Sequence, residues 1–236
     1  MHLYYAPASS YSQRVLIALY DKNINFTPIE VNLFDPEERQ KYLEINPFGK
    51  IPTLVTEDGQ VLFEASIIIE YLDNNYEKRP HLIPLDSQKA LEVRFLERII
   101  DIYINAGREA LFRDTQRPIE QRGGKEVLKA KRLMEAALSL LCDRLQKRTW
   151  LLGEEFSFAD CAAAPTLNYL RMVYDYKHLP VLNDYFKRLE SRTSVAQAFN
   201  FGHDQMRQML SQLRYPITEE LKVTHQQEKL HYQACK

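Results

Sequence analysis

The apolar positions of residues 1–76 follow two periods in turn, one typical of strands and one typical of helices. Short β-prone runs occur at residues 3–5, 26–31, 53–56 and 60–63. Helical patterns lie between the first two runs, at residues 36–43 and at residues 65–76. This alternation predicts the element order βαβαββα.

The connections between these runs predict how the strands pair. The first two runs are separated by a helix of about ten residues, capped by a serine at position 9, 10 or 12, which favours a parallel pair. Asp58-Gly59 lies between the last two runs, and this dipeptide is typical of tight hairpins. We therefore expect a mixed sheet that contains one antiparallel hairpin.

Residues 87–190 show helical periodicity only. Three sets of apolar residues each fall on one helical face: Leu91, Phe95, Ile99, Tyr103 and Ala106; Val127, Met134, Leu138, Leu141 and Leu145; Leu182, Tyr185, Phe186 and Leu189. Gly123-Gly124 separates the first helix from the second. Each set predicts the core-facing side of an amphipathic helix.

A segment without periodicity separates the two halves of the chain. Residues 77–84 contain Pro80 and Pro84, which is typical of a linker. We predict an α/β domain at residues 1–78, an all-α domain at residues 86–210 and a polar tail at residues 211–236.

The charges are almost balanced, with 31 basic and 32 acidic side chains and a net charge of −1. Nucleic-acid-binding proteins normally carry a basic surplus, so we expect neither nucleic acid nor an anionic membrane surface as a partner. No apolar run approaches the roughly 18 residues of a membrane span. The first residues show no secretory signal.

The cysteines and histidines indicate neither disulfides nor a metal site. Cys142, Cys161 and Cys235 are widely spaced and suit a reducing compartment. No histidine pair has metal-ligand spacing on a helix, and His225 and His231 lie in the polar tail. We expect a cytoplasmic protein without a bound metal.

Three short motifs follow one another along the chain. Residues 46–54 read Asn-Pro-Phe-Gly-Lys-Ile-Pro-Thr-Leu, residues 61–72 begin Val-Leu-Phe-Glu-Ala-Ser, and residues 156–160 read Phe-Ser-Phe-Ala-Asp. They resemble the N-P-x-G-x-[IV]-P-x-L signature, the strand-plus-helix element and the F-[ST]-x-A-D capping motif of the cytosolic glutathione S-transferases, as in bacterial-type sequences. The resemblance covers most of the chain and implies a thioredoxin-like domain followed by an all-helical domain.

The resemblance also implies a glutathione site near the first motif. Pro52 takes the place of the family's cis-proline, which would turn the N–H and C=O of Ile51 toward the cysteinyl backbone of glutathione. Lys50 takes the place of a residue that steadies the glycyl carboxylate, and a solvated loop lysine is the alternative. Glutathione would be a co-substrate.

The second motif implies the other end of that site. Glu64 and Ala65 open a helix, where free N–H groups favour an anion. In the family this position binds the γ-glutamyl carboxylate, while the acidic residue binds the ammonium group. The family usually has serine where this chain has Ala65, so one hydroxyl donor is missing, and Ser66 either replaces it or caps the helix.

The segment at residues 8–15, Ala-Ser-Ser-Tyr-Ser-Gln-Arg-Val, resembles the S-S-C-S-x-R-V stretch of the zeta class and the S-P-F-S-x-R-V stretch of the tau class, both serine-type transferases. By this resemblance Ser9, or else Ser10, donates a hydrogen bond to the glutathione sulfur, with helix capping as the alternative. Tyr5 resembles the catalytic tyrosine of the alpha, mu and pi classes, with packing in the strand as its alternative. The absence of cysteine here disfavours a cysteine-based thiol transferase.

The activity implied is conjugation of the glutathione thiolate to an apolar electrophile, as in detoxification. Tyr11, Tyr103 and Phe112 are candidates for the wall of the electrophile site. One alternative is glutathione-dependent cis–trans isomerisation of a maleyl-type compound, as in the zeta class. Another is a non-catalytic interaction module like the bacterial stringent starvation proteins, which bind RNA polymerase.

Two further positions concern assembly and folding. Phe48 occupies the loop position that carries an aromatic key into the partner subunit in the pi class, which implies a homodimer; packing within the loop is the alternative. Ser157 and Asp160 have the spacing of a capping box, and Pro165 falls inside the helix that follows.

Overall fold

The computed structural model describes residues 1–76 and 81–217. Residues 77–80 of the predicted linker lie outside the described residues, as does the predicted tail beyond residue 217 with His225, His231 and Cys235. None of the helices in the two described ranges has the length and apolar character that a bilayer crossing requires.

Residues 1–76 form an α/β unit in the predicted order βαβαββα. Its strands are β1 (His2–Tyr5), β2 (Thr27–Glu30), β3 (Thr53–Val55) and β4 (Val61–Phe63). Its helices are α1 (Ser10–Asp21), α2 (Pro36–Leu43) and α3 (Ala65–Asn75). Ser9 and Asp35 cap α1 and α2 with side-chain oxygens on first-turn N–H groups, which explains where these helices begin.

The sheet brings three chain segments to one of its ends. Its strand order is β2-β1-β3-β4, with β1 parallel to β2 and β3 antiparallel to both β1 and β4, which confirms the predicted parallel pair and hairpin. Tyr4 lies opposite Thr53, and Thr53 lies opposite Phe63. The segment after β1, the loop before β3 and the segment after β4 therefore meet.

The described residues from 81 onward are helical, as predicted. The helices are α4 (Ser87–Ile99), α5 (Ala106–Thr115), α6 (Lys125–Leu145), α7 (Phe158–Leu170), α8 (Pro180–Ser191) and α9 (Thr193–Ser211). A π-helical stretch, Ile100–Asn105, joins α4 to α5, and a short 3-10 turn, Ile119–Gln121, follows α5. The stripes predicted for α6 and α8 face the core.

The stripe predicted for α4 faces outward, so its prediction as the core side is wrong. Leu91 is 63% exposed and Phe95 is 45% exposed. The buried apolar side of this helix is formed instead by Ala90, Val93 and Leu96. Both sets repeat at intervals of three or four residues, so periodicity alone does not tell which set faces the core.

The predicted capping box, formed by Ser157 and Asp160, is present at the start of α7. The buried carboxylate of Asp160 also accepts hydrogen bonds from the N–H of Leu151 at 3.1 Å and the hydroxyl of Tyr185 at 2.6 Å. Pro165 lies inside α7, as predicted. These contacts fix α7, which forms part of the wall of the site described next.

Candidate active site

The loop before β3 is held in place by buried polar side chains. The amide of Asn46 donates to the carbonyl of Lys50 at 2.8 Å and to Oγ1 of Thr53 at 3.0 Å. The hydroxyl of Tyr42 donates to the same Lys50 carbonyl at 2.6 Å. The asparagine of the first motif therefore sets the path of the chain into β3.

The Ile51–Pro52 peptide bond in this loop is cis, as predicted from the motif. Pro52 is buried, Ile51 is half-buried and Lys50 is exposed. Nothing in the described part of the chain forms a hydrogen bond with the N–H or C=O of Ile51. These two groups can therefore pair with the backbone of a bound peptide, as a neighbouring strand would.

The start of α3 lies at the same end of the sheet, directly after β4. Glu64 precedes this helix with a φ of 66°, in the left-handed region, and its exposed side chain does not cap the helix. Non-glycine residues with this backbone are uncommon and cluster at functional sites. Ala65 is buried and Ser66 is half-buried in the first turn. The free N–H groups of that turn favour an anion.

Ser9 and Ser10 begin α1 at the third segment that reaches this end of the sheet. Oγ of Ser9 accepts a hydrogen bond from the N–H of Ser12 at 3.2 Å, which makes Ser9 the N-cap. The hydroxyl hydrogen of Ser9 remains available to a further acceptor, because a serine hydroxyl both accepts and donates. Both Ser9 and Ser10 also line a cavity.

Tyr5 does not line that cavity. Its side chain is only 4% exposed and shares the core face of β1 with Leu3. Burial raises the pKa of its phenol, and the carboxylate of Glu30 raises it further. This placement favours packing within the strand, the alternative role of Tyr5, over contact with a bound thiol.

The cavity has a volume of about 260 Å³ and lies between the start of α1 and residues of α5, α9 and the end of α7. Tyr11 and Phe112 line it, as predicted. Tyr103 does not line it and is partly exposed, so its predicted wall role is wrong. Met206 and Met209 of α9 complete a largely apolar wall.

Tyr11 and Arg108 of the cavity wall belong to a network of polar and charged side chains. Asn105, the last residue of the π-helical stretch, donates to the hydroxyl of Tyr11 at 2.8 Å and accepts from Nε of Arg108 at 2.9 Å. The buried guanidinium of Arg14 lies 4.4 Å from the centre of the Tyr11 ring and pairs with Asp101 at 3.0 Å. Burial, more than the nearby Asp101 carboxylate, raises the pKa of Tyr11 to about 12, so its phenol stays neutral near pH 7.

Helix α9 packs directly on the segment that precedes α1. Oε1 of Gln205 accepts a hydrogen bond from the N–H of Ala8 at 2.7 Å. A Cβ atom at Gly202 would lie 2.6 Å from the carbonyl oxygen of Pro7, which is too close, so glycine is required there. From α7, the hydroxyl of Tyr169 donates to the carbonyl of Ala8 at 2.8 Å. The start of α1 is thus held by two helices of the second half of the chain.

Several of these residues were missed by sequence reasoning: Asn105, Arg108, Tyr169, Gly202 and Gln205. Gly202 carries a usable signal, because an isolated glycine in a helical segment indicates a close approach. Tyr169 and Gln205 carry none, since their partner Ala8 lies 161 and 197 residues away in the sequence.

The arrangement suits a small peptide with a charged end. Main-chain groups at Ile51 can pair with its backbone, the first turn of α3 can bind a carboxylate, and Ser9 can donate to an atom held beside the cavity. No group of three or more histidine, cysteine or acidic residues able to hold a metal occurs within residues 1–76 and 81–217.

Two families of domains match the chain. Residues 3–80 match "Glutathione S-transferase, N-terminal domain", and residues 99–193 match "Glutathione S-transferase, C-terminal domain". The chain is 30% identical to Glutathione S-transferase F7 of Arabidopsis thaliana over 173 residues, which cover 70% of this chain and 80% of the relative. It is also 30% identical to the stringent starvation protein A homolog of Coxiella burnetii over 167 residues, which cover 71% of this chain and 74% of that relative.

A solved structure gives the same architecture. The glutathione S-transferase from Methylobacillus flagellatus with GSH bound aligns at a TM-score of 0.74 and 30% identity, covering 84% of this chain and 98% of that one. The α/β unit and the helices that follow it are therefore shared over nearly the whole of that protein.

Proposed function

This chain belongs to the glutathione S-transferase family, and on this premise we propose that it joins the glutathione thiolate to an electrophile. The observation that carries the proposal is the main-chain N–H and C=O of Ile51, unpaired within the described residues, at the end of the sheet where α1 and α3 begin. Glutathione would bind the domain at residues 1–78, and the electrophile would lie against the helical domain at residues 86–210.

In this proposal the tripeptide lies across the end of the sheet. Its cysteinyl backbone pairs with the N–H and C=O of Ile51. Its γ-glutamyl carboxylate accepts from the first turn of α3 at Ala65 and Ser66. Its ammonium group pairs with Glu64, and its glycyl carboxylate pairs with Lys50.

The sulfur of the bound tripeptide then lies beside Ser9. Because the hydroxyl of Ser9 accepts from the N–H of Ser12, its hydrogen is free to donate to the sulfur, with Ser10 as the next donor. Lowering the thiol pKa by about two units requires about 2.7 kcal/mol and would make the thiolate the major form at neutral pH. Tyr5 is the third candidate donor, at a disadvantage because it is buried.

The reactant that receives the thiolate would occupy the cavity next to Ser9. Thiolate sulfur bonds to an electrophilic carbon, and the leaving group departs with the electron pair of the bond that breaks. We also propose a cytoplasmic location, since the buried thiol of Cys161 is free and glutathione chemistry needs a reducing compartment.

The glutathione site is tested by retention on immobilised glutathione and by conjugation of 1-chloro-2,4-dinitrobenzene. We expect Glu64→Ala to lower the affinity for glutathione about tenfold or more, because it removes a charged partner. Glu155→Ala is the matched control, since Glu155 is exposed and distant in sequence from Lys50, Ile51 and Glu64. Equal retention of the two variants would contradict the proposed site.

The role of Ser9 is tested by the ultraviolet absorbance of the glutathione thiolate when it is bound. Ser9→Gly removes the hydroxyl yet costs only a few tenths of a kcal/mol as a helix cap. We expect the pKa of the bound thiol to rise in Ser9→Gly and to stay unchanged in the control Ser139→Ala. If Ser9→Gly leaves the titration where it was and Ser10→Ala moves it, Ser10 is the donor.

We further propose that the exposed apolar surface of α3, α4 and the loop before β3 packs against a second copy of this chain. Phe48 is 70% exposed and packs edge-on against Phe63. An ion pair between Glu70 and Arg94 joins α3 to α4. Large exposed apolar patches mark interfaces, and two-fold dimers are the commonest assembly. Its exposed apolar members are Phe48, Ile67, Leu91 and Phe95.

Sedimentation equilibrium tests this assembly. We expect the wild-type chain to sediment as a dimer and Leu91→Asp to shift it to monomer. Phe48→Ser should weaken the dimer less, and Phe34→Ser, which alters another exposed phenylalanine, should leave it intact. A monomeric wild-type chain would contradict the proposed dimer.

A second candidate function is a non-catalytic interaction module. Ala65 favours it, because the chain lacks the hydroxyl that the family usually provides at this position. The similarity to stringent starvation protein A homologs points the same way. Folded protein that neither binds immobilised glutathione nor turns over the dinitrobenzene would support this second candidate over the first.

A further inference from the structure

The guanidinium of Arg108 lies in the cavity without an anionic partner at hydrogen-bonding distance. Its side chain is only 15% exposed. Its Nε donates to Oδ1 of Asn105 at 2.9 Å, while the nearest carboxylate oxygen, of Glu109, is 4.0 Å from Nη2. Nothing else in the described part of the chain accepts a hydrogen bond from this guanidinium, although it faces the ring of Tyr169 at 5.9 Å.

The charged groups around Arg108 are already engaged elsewhere. Glu109 is half-exposed and pairs with Arg113 at 3.2 Å. Asp101, beyond Tyr11, pairs with the buried Arg14 at 3.0 Å. Asp101 therefore does not neutralise Arg108, and Glu109, whose nearest oxygen is 4.0 Å away, compensates its charge only in part.

A cation placed in this way is costly without a partner. Removal of charge from water is unfavourable unless an opposite charge or hydrogen bonds replace the water. Burial accordingly lowers the pKa of Arg108 from its ordinary value. An anion that enters the cavity would satisfy up to four N–H groups that the protein leaves unused, since a guanidinium has five.

The rest of the cavity suits an apolar body. Phe112, Val173, Met206 and Met209 line it beside Arg108. A cavity of roughly 150 Å³ accommodates a benzene ring, so the about 260 Å³ available here leaves room for a substituted ring. The methionines adapt to irregular shapes.

We propose that the second substrate is an apolar electrophile that carries a carboxylate, and that Arg108 binds this carboxylate through its guanidinium fork. The inference rests on the proposed function, because it concerns the same cavity. Arg108 is a specificity-determining residue here: it holds the anionic end, while the electrophilic carbon faces the sulfur beside Ser9. Bidentate guanidinium–carboxylate pairs provide both strength and orientation.

The test compares 4-chloro-3,5-dinitrobenzoate with its neutral analogue 4-chloro-3,5-dinitrobenzamide. In both reactions the thiolate sulfur bonds to the ring carbon, chloride leaves with the bonding electron pair, and the thiol proton passes to solvent. We expect kcat/KM to favour the acid over the amide about tenfold or more, as a charge-assisted hydrogen bond would produce. Arg108→Gln should abolish this preference, and Arg108→Lys should retain part of it.

Two further variants sharpen the comparison. Glu109→Gln should raise the preference for the acid, because it removes a negative charge 4.0 Å from Arg108. Arg132→Gln alters an exposed arginine on α6 and should leave the preference unchanged. An acid-to-amide ratio that is the same in wild type and Arg108→Gln would overturn the inference.

Binding measurements separate this inference from the proposed function. Calorimetric titration with 3,5-dinitrobenzoate and 3,5-dinitrobenzamide, which lack a leaving group, reports on the cavity without turnover. Tighter binding of the acid that depends on Arg108, in a protein that conjugates neither substrate, supports the anion site and rejects the transferase. Turnover of both substrates without preference for the acid supports the transferase and rejects the anion site.

Discussion

The candidate active site is a cleft with two halves, and the two halves offer different kinds of groups to a ligand. The half at the end of the sheet offers main-chain groups of Ile51 and of the first turn of α3, held by side chains such as Asn46 from the same loop. The half formed by α5, α7 and α9 offers side chains, such as Phe112 and Arg108, from distant parts of the sequence. Main-chain groups keep their chemistry when side chains change, so the first half suits a constant ligand and the second a variable one.

The two halves touch at the segment before α1. Pro7 and Ala8 contact α9 through Gly202 and Gln205 and contact α7 through Tyr169. Substitutions away from this segment should weaken ligand binding to one half only, whereas substitutions in this segment or at its contacts should weaken binding to both halves. Three predictions follow this distinction.

The largest effect on stability is expected for Asn46→Ala, which disrupts only the half of the cleft at the end of the sheet. Asn46 is buried and makes three hydrogen bonds, to Lys50, Thr53 and Phe48. We expect the free energy of unfolding to fall by about 3 kcal/mol, because buried partners lose their hydrogen bonds. Glutathione binding should weaken while binding of dinitrobenzamide to the cavity persists, both measured by calorimetry.

Asn75→Ala is the control for this variant. Asn75 is exposed and bonds the carbonyl of Tyr71 within its own helix, so we expect a change within about 0.5 kcal/mol. The division into two halves is wrong if Asn46→Ala weakens cavity binding as much as glutathione binding.

A smaller effect on stability is expected for Gly202→Ala, which alters the contact between α9 and the segment before α1. The new Cβ would lie 2.6 Å from the Pro7 carbonyl oxygen, so α9 must move away. Overpacking of this kind costs about 1–3 kcal/mol, measurable by urea denaturation, and both ligands should bind more weakly. In the control Gly124→Ala the Cβ meets open space, and binding of both ligands should be unchanged; loss of only one ligand in Gly202→Ala would contradict the coupling.

The smallest effect at neutral pH is expected for Tyr169→Phe, which removes the hydrogen bond to Ala8. The loss should be about 1 kcal/mol in the free energy of unfolding. Burial raises the pKa of Tyr169 to about 12, above the value of about 10 in an unfolded chain. The stabilisation is therefore complete below about pH 10 and is lost as the pH rises toward 12, where ionisation of the unfolded state is favoured.

Urea denaturation at a series of pH values from 8 to 12 checks this dependence. The free energy of unfolding of the wild-type chain should fall across the upper part of this range, and that of Tyr169→Phe should fall less steeply. Parallel curves for the two proteins would show that Tyr169 does not carry the effect.

The backbone of the first half of the cleft could be predicted from the sequence, because the residues that determine it are close together in the chain. Asn46, Lys50 and Pro52 lie within seven residues, and their motif predicted the cis bond. Asp58-Gly59 predicted the hairpin that follows. The element order of residues 1–76 was confirmed for the same reason, since caps and turns depend on neighbouring residues.

The residues of the second half could be predicted from the sequence only in part. Tyr11 and Phe112 line the cavity, but Tyr103 does not, because the helical period gives two apolar stripes and does not select between them. The π-helical stretch that brings Asn105 to Tyr11 and Arg108 has no sequence signal of its own. Contacts between distant side chains depend on how the helices pack, which the local pattern does not specify.

The bond between Gln205 and Ala8 has a consequence for synthesis of the protein. The ribosome adds about 5–20 residues per second, so Gln205 is made at least roughly ten seconds after Ala8. For most of that interval the emerging α/β unit has all its strands but lacks the acceptor for the Ala8 amide. The nascent chain therefore completes the contacts of the segment before α1 only when α9 has left the exit tunnel and docked.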